Sequence, residues 1–343
     1  MAHSLKALPY KVLLVKNRNY IYCKGYSLFE YDMSNEKHAS LGCIPDWKYA
    51  PLSHFRLLRR FFRAEITGLY ELSNGDLLAI AKKGLFKRVK GAEKWTKCFT
   101  IPRGSKPLNI CILPNGHLFF GEYFMNMEKR SVRVFRSDDN GMTWNVAYTF
   151  PNGNINHIHG LFFDKYTERM WCLTGDRENE CIIGWTDDEF ETFHEMLRGG
   201  QEYRSCHLFF YPDYIIYATD SQYMQNIIKK IDRQTLEITE LQRIQGSAIK
   251  GGQIGDIAFL STTIEPSEVN KDQSAHLWIT EDGMKWKEIF SAKKDVLPAI
   301  MQFGTFEFPN YVHETDKLYF SGRALKNYDG YSIALDIEKG VKP

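Results

Sequence analysis

Two histidines at alternate positions, in Asn156-His157-Ile158-His159-Gly160, are the residues of this chain best placed to do chemistry. In an extended strand, residues two apart point to the same side. His157 and His159 then present paired imidazoles, which can bind a divalent cation, take a proton or hydrogen-bond a sugar. A cation would need a third ligand, and Asp176, Asp220 or His207 could serve. Leu173-Thr174-Gly175-Asp176-Arg177 follows on the next strand. One unit later come Tyr203-Arg204-Ser205-Cys206-His207 and Ala218-Thr219-Asp220-Ser221. Aligning Gly160-Leu161-Phe162-Phe163 with His207-Leu208-Phe209-Phe210 sets Arg204 opposite His157. There a guanidinium can grip a carboxylate or phosphate in a bidentate fork.

A second regularity adds acids to this set. Lys24, Lys82, Glu122, Asp176, Asp220, Glu265 and Arg323 each end the second strand of a repeated unit, at spacings of roughly 40–58 residues. Corresponding strand ends of such an array converge on one face, near a central channel. Charges repeated there cannot all be buried singly in apolar surroundings. Paired carboxylates are what glycoside hydrolysis needs, one as proton donor and one as nucleophile or base. The candidate catalytic residues are His159 oriented by Asp176, with Glu122 or Asp220 as acid. His157, Arg204, His207, Glu265, Arg323 and Arg63 are candidates for substrate binding. No cofactor is required, and a divalent metal is the one addition the histidines could take. The alternative is that these charges solvate a channel or close salt bridges between units.

Short strands separated by turn signals position these residues. The first unit reads Lys11 to Val15, a turn at Asn17-Arg18-Asn19, Tyr20 to Cys23, then Ser27 to Tyr31. The next two turn at Asn74-Gly75 and Asn115-Gly116, and later units start near His157, Arg204, Ile249 and Phe303. An aromatic content of 14% suits many short strands better than a helical bundle. The expected fold is all-β, a single β-propeller over residues 1–343 with seven blades; six is the alternative if the first unit is an appendage. The last unit lacks a fourth strand, which the stretch around Ser4-Leu5-Lys6 could supply to close the ring.

The octapeptide Ser137-Asp138-Asp139-Asn140-Gly141-Met142-Thr143-Trp144 pins a tight turn: Asp and Asn bond their own backbone, Gly takes a positive φ and Trp is an apolar anchor. Thr186 to Phe193 keeps Thr, Asp, Thr and an aromatic at the same spacing, and Thr280 to Trp286 keeps the Asp-Gly turn and the Trp. On these turns the chain resembles the sialidase-like Asp-box (BNR-repeat) β-propellers. The resemblance implies an architecture, because the Asp-box normally lies on blade-edge hairpins away from the catalytic face. Sialidases also carry an Arg-Ile-Pro motif, and here Arg103 precedes Gly104. Arg63, Arg204 and Arg323 are spaced like an arginine triad without its local motifs, so sialidase catalysis is not carried over. Propeller polysaccharide lyases use His, Arg and Tyr, and His157, His159, Arg204 and His207 are similar in style. The expected function is a glycan-active hydrolase or lyase working at the channel face. The alternative is a non-catalytic propeller that binds saccharide or protein partners, beside a membrane glycan-assembly system.

Bulk properties narrow the rest. A formal charge of +2 over 343 residues gives no general field for nucleic acid. The 7 cysteines are scattered without a Cys-x-x-Cys pair, which points to reduced, buried thiols. The start has no cleavable leader pattern and no run reaches about 20 apolar residues, so a cytoplasmic location is expected. One segment breaks the β pattern. Residues 47–63, between the first two blades, end in His54-Phe55-Arg56-Leu57-Leu58-Arg59-Arg60-Phe61-Phe62-Arg63. As a helix it shares Phe55, Leu58 and Phe62 on one face. It either packs on the propeller, with Arg63 starting a strand, or docks peripherally on anionic lipid or a partner.

Overall fold

Antiparallel strands dominate the computed structural model, which describes residues 5–337. Hairpins turn at Asn74-Gly75 and Asn115-Gly116, where the sequence places its turn signals, and the strands group in fours. Four-stranded sheets run in strict chain order over residues 68–100, 111–150, 157–199 and 205–244. The strands of residues 11–43 form another such set, the first in chain order, which makes residues 68–100 the second and 205–244 the fifth; Asn310–Tyr311 is added in parallel beside Lys11–Val15. An eight-stranded sheet joins two further antiparallel sets through the pairs Thr263 with Thr305 and Ile264 with Gly304. In the last of these, Leu5–Leu8 pairs antiparallel with Ser332–Asp336 as the outermost strand.

Apolar side chains on facing sheets make the core between neighbouring sets, as with Leu78, Ile80, Phe120, Phe135 and Trp144. The first strand of each set is the innermost. A cavity of about 540 Å³ is lined by residues from every one of these strands, including Lys11, Gly68, Cys111, His159, His207, Lys250 and Glu307. Four inner strands carry an extra residue near their start, at Val12–Leu14, Ile158–Gly160, Ser205–Leu208 and Ala248–Lys250. Such bulges re-aim side chains and end pairing locally. They fall where the chemistry-bearing residues cluster.

The three turn motifs link the third and fourth strands of their sets. In the first, Asp139 accepts from the backbone N–H groups of Met142 and Thr143 and from the Thr143 hydroxyl. Ser137 Oγ accepts from Gly141 N–H at 2.9 Å, and Trp144 Nε1 donates to the Gly141 carbonyl at 3.1 Å. Asp188 and Asp282 repeat the carboxylate's role. Trp144 and Trp286 are buried, while Phe193 is half-buried with Phe190 taking the deeper position beside it.

The segment of residues 47–63 forms two short helices, Ala50–Ser53 and Arg56–Phe62. Its packing inverts the expected face. Arg60 is 0% exposed, with Nη1 2.6 Å from Asp295 and Nε donating to the Met301 carbonyl. Arg56 reaches Asp295 and Asp329, and Arg59 reaches Asp329. Two nearly buried carboxylates thus draw the guanidiniums inward, and Phe55, Leu57 and Phe61 are left facing out. Arg63 does not begin a strand. It ends the helix in the left-handed region at φ 52°, and the next strand is Gly68–Glu71. Arg60→Ala should cost about 2 kcal/mol, below the usual 3–5 for a broken buried pair because Arg56 and Lys294 still reach Asp295. Denaturant unfolding measures it, and an unchanged midpoint would remove the anchoring role. No helix among the described residues is long and apolar enough to cross a membrane.

Candidate functional site

The residues that end the second strands lie where the sequence puts them, at or just after Lys24, Ala81, Gly121, Gly175, Thr219, Ile264 and Arg323. Asp176, Asp220 and Glu265 come together there with the starts of the inner strands of the fourth and fifth sets. His159 is the extra residue of the bulge between Ile158 and Gly160 and has no partner on the neighbouring strand. Its ring lies over Gly175, where a Cβ would come within 2.4 Å of the imidazole Cε1. Gly175 is therefore required by close approach, and Gly175→Ala should displace His159.

Both histidines are fixed through Nδ1. His157 Nδ1–H donates to the Phe124 carbonyl at 3.0 Å, and His159 Nδ1–H to the Ser205 carbonyl at 2.8 Å. A carbonyl only accepts, so each bond keeps a proton on Nδ1. The two Nε2 atoms then face each other at 3.1 Å. Asp176 Oδ1 lies 3.0 Å from His159 Nε2, and Oδ2 lies 3.3 Å from His157 Nε2. Asn156 Nδ2 donates to Asp176 at 3.0 Å and Arg204 Nη2 approaches it at 3.1 Å. Arg204 also reaches Asp220 at 3.4 Å, and Cys206 Sγ donates to Asp220 Oδ2 at 3.3 Å. Arg204 Nε and Asp220 Oδ1 are buried without a partner among the described residues.

These carboxyls are driven apart in pKa. Burial opposes the Asp176 charge, but hydrogen bonds and charge from His157 and His159 outweigh it and hold the carboxyl well below its usual range. Burial, then the charge of Asp220, pushes Glu265 up to about 7 against the pull of Arg204. Burial and Asp220 also push the Cys206 thiol up, so it stays protonated.

The other candidates sit differently. Glu122 is clamped by Arg103 and by Arg133, whose Nη2 is 2.7 Å from Oε1 and whose backbone N–H also donates to it. His207 packs against Phe162 and Phe209, and burial with Lys250 lowers its pKa to about 3. Arg323 meets Glu307 at 2.8 Å. Arg63 is exposed beside Lys82 and is absent from the bonds around Asp176.

Arg323 belongs to a basic group that strand-end spacing does not reveal. Glu307 is held by Lys11 at 2.6 Å and by Arg323, and Lys106 and Lys250 act on it as well. Burial pushes the ammonium pKa of Lys106 well down and that of Lys250 down, and each has cationic neighbours. Lys106 comes from the connection between the second and third sets, where no repeat pattern marks it.

No family model and no curated relative matches the chain. Solved structures do. The WD40 β-propeller domain of Doa1 superposes with a TM-score of 0.59 at 10% identity, covering 98% of this chain and 96% of that one. YCF48, solved bound to a D1 peptide, gives 0.55 at 12% identity over 97% and 96%. The GH74 xyloglucanase from Xanthomonas campestris gives 0.55 at 13% identity, covering 84% of this chain and 47% of that one. At these identities the likeness shows the fold, a β-propeller.

Proposed function

We propose that the protein acts on a saccharide, as a hydrolase or lyase, at the mouth of the central cavity beside Asp176, Arg204, Asp220 and Glu265. One observation carries this reading: in a single electrostatic group, one carboxyl is held ionised and another is pushed up to about 7. Opposed carboxyl environments in one cleft are the arrangement by which proton donor and charged partner are assigned. Glu265 takes the donor role and Asp220 with Arg204 orients the ligand. Glu122 is left out of the chemistry because two arginines occupy it. His159 is left out as base because its Nε2 points at His157 and Asp176. Lys11 and Lys250, both lining the cavity, favour a saccharide that carries carboxylate or sulfate groups.

The reading treats the seven four-stranded sets as blades of one domain, with Leu5–Leu8 closing the ring. The test is incubation with acidic and neutral oligosaccharides, followed by mass spectrometry for new ends. Hydrolysis adds water to the products, and elimination leaves an unsaturated sugar. No product and no retention of any acidic saccharide would defeat the proposal. The non-catalytic alternative is supported by the mutual satisfaction of His157, His159 and Asp176, and it expects binding without turnover.

A second observation supports a peripheral membrane contact. Trp47 is 90% and Phe61 60% exposed, and the packed segment at residues 295–301 adds exposed Val296 and Ile300. Lys48, Arg63, Lys82 and Lys83 form a basic group beside this face. Exposed aromatic side chains close in the chain to Lys48 and Arg63 suit an anionic lipid surface. The native chain should float with phosphatidylserine vesicles, and Trp47→Ser with Phe61→Ser should not. Equal behaviour of the two would leave the face without this role.

A further inference from the structure

We propose that His157, His159 and Asp176 bind one divalent transition-metal cation of the zinc class. Both Nδ1–H groups are spent on main-chain carbonyls, so both Nε2 atoms are turned to the same point and offer lone pairs there once their protons leave. The Asp176 oxygens face that point as well, and all three side chains can each place a donor atom within 4.8 Å of the others. A cation at this point would replace the protons through which the two imidazoles bond each other and Asp176.

The dimensions fit a metal. Ligand bonds of about 2.0–2.1 Å at tetrahedral angles place neighbouring ligand atoms roughly 3.3 Å apart. Here the two Nε2 atoms are 3.1 Å apart, and Asp176 sets Oδ1 3.0 Å from His159 Nε2 and Oδ2 3.3 Å from His157 Nε2. The outer shell is also of the right kind. Metal-bound histidines commonly donate their other N–H to a carbonyl or carboxylate, and ligating carboxylates are themselves hydrogen-bonded. Here Phe124 and Ser205 receive the two N–H groups, while Asn156 and Arg204 hold Asp176. Three protein ligands leave a fourth position for water or a ligand oxygen, the pattern of reactive rather than purely structural zinc sites. Asp176 is the one partly exposed member, so that position opens outward. Arg204 beside Asp176 tempers the affinity, and micromolar binding is expected. His159, Cys206 and Asp220 form a competing triad that shares one ligand. It is disfavoured because Cys206 and Asp220 are already bonded to each other and Arg204 reaches Asp220.

The test uses the full chain, stripped with a chelator and then titrated calorimetrically with zinc chloride. One equivalent should bind, raise the melting temperature and be removed by the chelator. Cobalt(II) in its place should give the intense visible bands of a four-coordinate site. His157→Ala should weaken zinc by at least about 100-fold, at or beyond the limit for an outer-shell partner. Cys206→Ser should leave binding unchanged, and Asp176→Asn, which keeps the side-chain shape, guards against loss by misfolding. Absence of one-equivalent binding by the folded native chain overturns the proposal. So does binding that survives His157→Ala, or binding that Cys206→Ser abolishes. No saccharide is present in this experiment, so its failure leaves the saccharide reading standing, and the reverse holds.

Discussion

Replacing Glu265 by Gln is expected to lower turnover of an acidic saccharide by about 10²–10⁴-fold, the usual contribution of a positioned proton donor. The same change should not weaken the fold. Glu265 stands in a site that disfavours its charge, through burial first and then Asp220. Its folded pKa of about 7 lies above the ordinary value of 4.5. Between those two values the folded chain holds a proton that the unfolded chain has released. Stability therefore falls as pH rises across that interval, and the full cost is present above pH 7. Glu265→Gln removes this cost, so the variant should melt at the same or a higher temperature than the native chain at pH 8. The native activity should decline as pH rises through about 7, as the donor loses its proton. Loss of activity with gain of alkaline stability separates a functional carboxyl from a structural one. A variant that melts lower at pH 8 would place Glu265 among the structural charges.

Trp144→Ala is expected to cost about 3–5 kcal/mol, within the range for removal of a buried aromatic. The indole is buried against Phe99 and Phe120, and its N–H donates to the Gly141 carbonyl. Removal leaves a cavity between the second and third sets and an unpaired carbonyl in the turn. Trp144 is remote in the chain from the Asp176 group and shares no bond with it, so ligand affinity in the surviving folded fraction should be unchanged. Chemical unfolding followed by fluorescence of the other tryptophans measures the loss. A selective fall in ligand binding at unchanged stability would make Trp144 a binding platform instead.

The strand repeat was legible because it rests on local chemistry. Turn residues such as Asn74-Gly75 and Asn115-Gly116 fix hairpins, and alternating apolar runs fix strands. The same regularity located Asp176, Asp220 and Glu265, since equivalent strand ends meet in space. Residues off the repeat stayed hidden. Lys106 acts on Glu307 from a connection, and Glu307 stands on an inner strand outside the strand-end series. The bulge at Ile158–Gly160 was also invisible, because an unpaired residue depends on the neighbouring strand rather than on its own sequence. The helix of Arg56–Phe62 was read on the wrong face for a related reason. Helical periodicity ranks apolar residues inward, but Asp295 and Asp329 lie more than 200 residues later and reverse the preference.

We propose that the group around Asp176, Arg204 and Glu265 processes a saccharide. The most direct measurement is a paired incubation of native chain and Glu265→Gln with a panel of acidic oligosaccharides at pH 6, with products read by mass spectrometry and binding by calorimetry. New saccharide ends are expected with the native chain, and none with a variant that still binds the same saccharide. Equal product from both chains, or neither product nor binding from the native chain, would contradict it.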